Sequence, residues 1–146
     1  MGNIISSVKH LFKSQSSSEN YYEAMNTDIT GLGRQNSKHW MNVGYWKQAE
    51  YYNDANEALA DLLAKICRFS TGTNLLDVGC GCGEQDFYWQ SKFPSLQIHA
   101  MDITPLHIQI AENRAMQENS NIRFAVGNAC DLPFEAETFD RVAALD

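Results

Sequence analysis

The stretch LLDVGCGCGEQD, residues 75–86, decides the fold. An apolar run of strand length, Leu75 to Val78, carries one acid, Asp77, and passes into a loop with glycine at 79, 81 and 83. Glu84, Gln85 and Asp86 then open a helix. Glycine permits a tight turn and lets a ligand approach the backbone where a β-carbon would intrude. A buried strand delivered through a glycine loop to a helix start is the first half of a βαβ unit.

The neighbouring sequence repeats the alternation. The helix is predicted from Glu84 to Lys92, stopped before Pro94, because the residue preceding a proline is pushed out of helical geometry. Leu96 to Met101 alternates apolar and polar residues like a second strand, with Asp102 at its end. Thr104 and Pro105 suit the N-cap and first turn of a helix running to Glu118. Ile122 to Val126 reads as a third strand, Asp131 to Phe134 as a loop, and Phe139 to Leu145 as a fourth strand. Upstream, Ser70-Thr71-Gly72 marks a turn after a helix whose predicted apolar face is Ala55, Leu59, Leu62, Leu63 and Ile66, started by a capping box of Asp54 and Glu57.

Strands alternating with helices imply parallel crossovers. The predicted fold is therefore α/β: a Rossmann-like open parallel sheet with helices on both faces and ligands at the carboxyl ends of its strands. The sequence stops at the fourth strand, so this pattern reads as truncated there, leaving residues 139–145 as an edge open to another chain. Three regions are expected: a Ser-rich flexible tail over 1–20, an aromatic-rich cap over 21–52 without sustained periodicity, and the Rossmann-like domain over 53–146.

A formal net charge of -7 supplies no broad positive field for a phosphate backbone, so no nucleic-acid partner is expected. No apolar run reaches the roughly 20 residues that span a bilayer, and no secretory leader is evident. A soluble cytoplasmic protein is the expectation. The start, MGNIIS, fits the N-myristoylation pattern at Gly2 with Ser6. Ile4, Ile5, Val8, Leu11 and Phe12 share a helical face with Lys9 and Lys13 nearby, so acylation there would add weak membrane association. Cys67, Cys80, Cys82 and Cys130 lack paired zinc spacing and are expected as reduced thiols. The adjacent Cys80 and Cys82 supply too few ligands for a closed site, so no metal is assigned.

Asp102 follows Gly83 by nineteen residues, and an acid ending the second strand can accept hydrogen bonds from ribose hydroxyls. A nucleoside cofactor follows. The nicotinamide fingerprint requires glycine where Glu84 stands, and a pyrophosphate would meet Asp77, Glu84 and Asp86. S-adenosylmethionine, with two positive groups against one carboxylate and no phosphate, suits that acidic rim by Coulomb attraction.

In combination, LDVGCGCG, the MDIT of residues 101–104 and GNACDLPFEAETFDRV of residues 127–142 resemble the class I S-adenosylmethionine-dependent methyltransferases. The chain is most similar to the methyltransferase type 11 group and to small-molecule enzymes of the erythromycin, rebeccamycin and sterol type. The resemblance implies that Asp77 with Gly79, Gly81 and Gly83 holds the methionine portion, Asp102 with Ile103 the ribose, and Asn128 with Ala129 the adenine edge. The family usually has Asp where Asn128 stands, although an amide oxygen can also accept the adenine amino hydrogen. MNVGYWK, residues 41–47, resembles the segment before the core in the small-molecule subgroup, which implies that Tyr45 covers the methionine end. The implied activity is methyl transfer to a small-molecule or lipid-like acceptor. A nicotinamide-dependent oxidoreductase and a noncatalytic cofactor-binding or interaction module are the alternatives. His39, His99 and His107 lack a partner motif, His107 is expected on a helix surface, and no catalytic base is assigned.

Overall fold

A computed structural model describes residues 38–145. The expectations for residues 1–37, including the Ser-rich tail and the Gly2 acylation pattern, lie outside the described residues. Seven elements follow one another: α1 (Tyr52–Ile66), β1 (Asn74–Val78), α2 (Glu84–Lys92), β2 (Gln97–Asp102), α3 (Pro105–Glu118), β3 (Arg123–Val126) and β4 (Arg141–Ala143). The sheet order is β3-β2-β1-β4, and every pairing is parallel. The chain steps outward from β1 to β2 to β3 and returns to the other side of β1 for β4. That reversal makes a crevice at the carboxyl ends of the central strands, where open α/β sheets bind ligands.

The three helices form one layer. Trp89 of α2 donates its indole hydrogen to the Ala60 carbonyl of α1 at 3.0 Å. The α2 and α3 helices are joined by Arg114, which lies over the Phe87 ring at 4.0 Å. Phe87 in turn packs on Phe124 of β3. Leu75, Ile98 and Ala100 point into this layer with Trp89 and Ile108 and are almost wholly buried. The opposite sheet face carries His99, whose ring meets Phe134 and Phe139 edge-on. Of the two helical layers expected, the described residues supply one. No helix among them is long and apolar enough to cross a membrane.

Two expectations about α1 are corrected. Its N-cap is Tyr51, without a side-chain cap bond, and Asp54 lies within the first turn. Glu57 pairs with Lys38 instead of reaching back to a cap. The buried face is Ala55, Asn56, Ala60 and Ala64, whereas Ile66 is exposed and Leu59, Leu62 and Leu63 are half-buried. The reason is the Trp89 indole: reaching the Ala60 carbonyl requires small side chains on that side of the helix, so the alanine stripe faces inward. The fourth strand is also shorter than expected. Only Arg141–Ala143 pairs with Leu75–Asp77, while Phe139 turns aside to join the aromatic cluster on the sheet.

Candidate functional site

The glycine loop is tied down over the end of β2. The Gly79 and Cys80 amides both donate to the Met101 carbonyl, at 2.8 and 3.0 Å, and the Gly81 amide donates to Asp102 Oδ2 at 2.9 Å. Gly79 and Gly81 have φ of 78° and 56°, a region that L side chains enter at a cost of roughly 1–2 kcal/mol. They differ in what surrounds them. A β-carbon on Gly81 would stand 2.7 Å from Met41 Sδ, whereas one on Gly79 would meet nothing within 4 Å. Gly81 is thus packed beneath a side chain, and Gly79 leaves an open cradle. Gly83 caps α2 and packs against Phe124.

Beneath the loop lies a pair of buried acids. Asp77 Oδ2 accepts from Gln85 Nε2 at 2.9 Å. No N–H group of another described residue reaches Asp77 Oδ1 or either oxygen of Asp86, and the two carboxyls hydrogen-bond to each other. Burial pushes the Asp77 carboxyl up to about 6, opposed by Gln85 and reinforced by the Asp102 charge. Burial, then the Asp77 charge, raises Asp86 well above the ordinary carboxyl range. Two carboxyls facing each other out of water cannot both ionise cheaply, so one proton is shared between them. Both thiols of the loop are also raised, mainly by burial, with Cys82 pushed up to about 12; they remain protonated and are inert as nucleophiles.

Asp102 is held from three sides. Oδ2 accepts from Gly81, while Oδ1 accepts the Thr104 amide at 2.8 Å and lies 3.2 Å from His107 Nδ1. Burial works to raise its pKa, but the hydrogen bonds from His107, Thr104 and Gly81 outweigh it, and Asp102 stays below the usual carboxylate range. The placement of His107 corrects the sequence expectation: it is 1% exposed and sits inside the fold. Position 107 falls on the third residue of α3, and the helix start points that residue back toward the strand end instead of outward.

Glu84 contributes less to the acidic rim than its position suggests. Its Oε2 accepts from the His39 amide and from Arg114 Nη1, both at 2.9 Å. The negative charge left at the strand ends is that of Asp102 and the single charge of the Asp77 and Asp86 pair.

The remaining candidate residues fall into two groups. Ile103 is half-buried beside Asp102, and the loop bearing Asn128 and Ala129 is joined to the same strand end by a Gly127 amide bond to the Asp102 carbonyl at 2.9 Å. Asn128 and Ala129 are exposed. Asn128 Oδ1 already accepts the Cys130 amide at 2.9 Å, leaving that oxygen one further lone pair. Tyr45 lies elsewhere, lining a groove along α1 with Asp54, Ala58, Leu62 and Lys65. The side chain found against the loop is Met41, from the same MNVGYWK segment. Sequence reasoning assigned no role to Met41, Gln85 or His107; the spacing of Asp77 and Gln85, one on each side of the loop, was the available signal for the second.

Asp77, the Gly79 cradle and ionised Asp102 together suit a ligand with a cationic group at one end and a hydroxyl donor further along. The comparisons with known proteins agree. The family described as "Methyltransferase domain" matches residues 75–146. The erythromycin 3''-O-methyltransferase of Saccharopolyspora erythraea is 44% identical over 110 residues, covering 73% of this chain and 36% of that enzyme. The [4+2]-cyclase SpnF superposes with a TM-score of 0.76 at 23% identity over 87% of this chain and 48% of its own. The geranyl diphosphate C-methyltransferase of Streptomyces coelicolor, solved with S-adenosyl-L-homocysteine, gives a TM-score of 0.63 at 16% identity over 75% of this chain and 49% of its own. The last two likenesses are of fold alone. The chain thus spans between about a third and a half of the length of these relatives. Residues 75–146 belong to the class I S-adenosylmethionine-dependent methyltransferases.

Proposed function

We propose that this chain binds S-adenosylmethionine at the carboxyl ends of β1 and β2, within an enzyme that methylates a small-molecule or lipid-like acceptor. The observation that carries this reading is the buried carboxyl of Asp77 on β1, followed two residues on by the open cradle at Gly79. A carboxylate held out of water is costly to ionise, and an ammonium group supplied by a ligand would favour its charged form.

The bound cofactor would supply an activated methyl group on a sulfonium, with the reactivity belonging to the cofactor. The chain's own work is orientation. Asp77 would hold the amino group, the Gly79 to Gly83 loop would lie along the methionine portion, and Asp102 would accept from the ribose hydroxyls. Asn128 and Ala129 would border the adenine, and Tyr45 would close over the methionine end only if it swings from α1 toward the glycine loop. The 44% identity to an enzyme named for O-methylation of erythromycin supports a hydroxylated small molecule as acceptor. The Gly2 pattern supports N-terminal acylation as a tether to membranes.

A nicotinamide cofactor is disfavoured by the same geometry, because its pyrophosphate would approach the Asp77 and Asp86 pair. Calorimetric titration with S-adenosylhomocysteine and with NAD tests the reading. Saturable binding of the first and none of the second is expected.

A further inference from the structure

We infer that His107 is a positioning residue for the ribose: it acts through Asp102, holding the carboxylate so that its remaining lone pair, on Oδ2, faces the ribose hydroxyls of the cofactor. This role rests on the cofactor reading above. The geometry is specific. Asp102 Oδ1 has the Thr104 amide at 2.8 Å and His107 Nδ1 at 3.2 Å, and Oδ2 has the Gly81 amide at 2.9 Å. Of the two backbone donors, Gly81 lies in the loop after β1 and Thr104 is the residue that caps α3. Among the described residues, His107 is the one side chain that bonds Asp102, and it projects from a regular helix that packs on β2 and β3. It is therefore the donor that ties the carboxylate to the rigid part of the fold.

The chemistry fixes the direction of the bond. An ionised carboxylate only accepts, so His107 Nδ1 must carry the hydrogen. The bond then persists whether the imidazole is neutral or charged. With both oxygens engaged at one lone pair or more, the carboxylate cannot rotate without breaking at least one bond to a buried donor. A ribose hydroxyl would meet an acceptor already set in place, and the entropy of fixing it is spent in folding, not in binding. A carboxylate bound only by the two backbone amides would retain that freedom.

The test separates a role at the ribose from a role in general stability. Affinity is measured by calorimetry for S-adenosylhomocysteine and for its 2′-deoxyribose analogue, with the melting temperature recorded for each variant. His107→Phe keeps a ring but removes the donor. It should weaken S-adenosylhomocysteine binding on the order of ten-fold and leave the deoxy analogue within about two-fold. His107→Asn, whose amide nitrogen falls close to the place of Nδ1, should restore most of the loss, whereas His107→Gln, whose amide lies further out, should not. If His107→Phe does not fold, the Asn and Gln pair reads the same contrast. Equal weakening of both ligands, or an unchanged affinity for S-adenosylhomocysteine in a folded His107→Phe protein, would overturn the proposal while leaving the cofactor reading intact. A chain of unaltered sequence that binds neither ligand would overturn the cofactor reading itself, and this role with it.

Discussion

Asp102 accepts the amide hydrogen of Gly81 on Oδ2 at 2.9 Å, so the acid that ends the second strand also fixes the loop that ends the first. The proposed ribose and methionine ends of the crevice are therefore one hydrogen-bonded unit. A substitution at either residue should disturb both.

Asp102→Asn tests this linkage. An amide can place only one oxygen among the Gly81, Thr104 and His107 donors and turns its own donor toward one of them. The loss should be on the order of 1–3 kcal/mol of folding stability, the cost of stranding a buried donor. S-adenosylhomocysteine affinity should fall as well. Urea denaturation and calorimetry on the same sample measure the two effects.

Gly79→Ala should separate conformation from packing. There is space for its β-carbon, but φ is 78°, so the fold should lose only about 1 kcal/mol. Because the added methyl enters the open cradle, ligand binding should suffer far more than stability. Gly81→Ala should show the opposite balance, since its β-carbon meets Met41 Sδ, and Met41→Ala should relieve it.

The buried acid pair predicts a pH dependence of unusual sign. Asp77 and Asp86 bind protons more tightly in the folded chain than in the unfolded one, so stability should fall as pH rises from about 4 toward the folded value of Asp77, about 6. Asp102 acts oppositely, its contribution being lost as pH falls below the ordinary carboxylate range. Asp86→Asn removes one titrating group and offers Asp77 an amide hydrogen. It should stabilise the ligand-free chain at pH 7.5 and give no gain at pH 4.5, as read by thermal melts across that range.

The limits of β1, α2 and α3 were legible in the sequence because local chemistry sets them: the glycine at 83, the proline at 94 and the Thr104-Pro105 pair act within a few residues of the ends they define. The burial of His107 was not. Nothing in the spacing of Asp102 and His107 shows that a helix start folds back onto its own strand end, so the sequence places the histidine on the surface. The inward face of α1 was hidden for a similar reason. Its leucines carry the stronger periodicity, but Trp89, from the next helix, selects the alanines. Likewise the pairing of Asp77 with Asp86 depends on α2 packing back over β1, which the linear motif does not reveal.

Protein produced in eukaryotic cells should carry a myristoyl group on Gly2 and partition onto vesicles. Intact-mass measurement decides this, and an unmodified Gly2 removes the tether from the account.

The central claim is cofactor identity, and its most direct measurement is calorimetric titration of the 146-residue chain with S-adenosylhomocysteine and, separately, with NAD at pH 7.5. The account predicts one saturable site for S-adenosylhomocysteine, competed by S-adenosylmethionine and lost in Asp77→Ala, with no heat from NAD. Saturable NAD binding by a folded sample that ignores S-adenosylhomocysteine would contradict it.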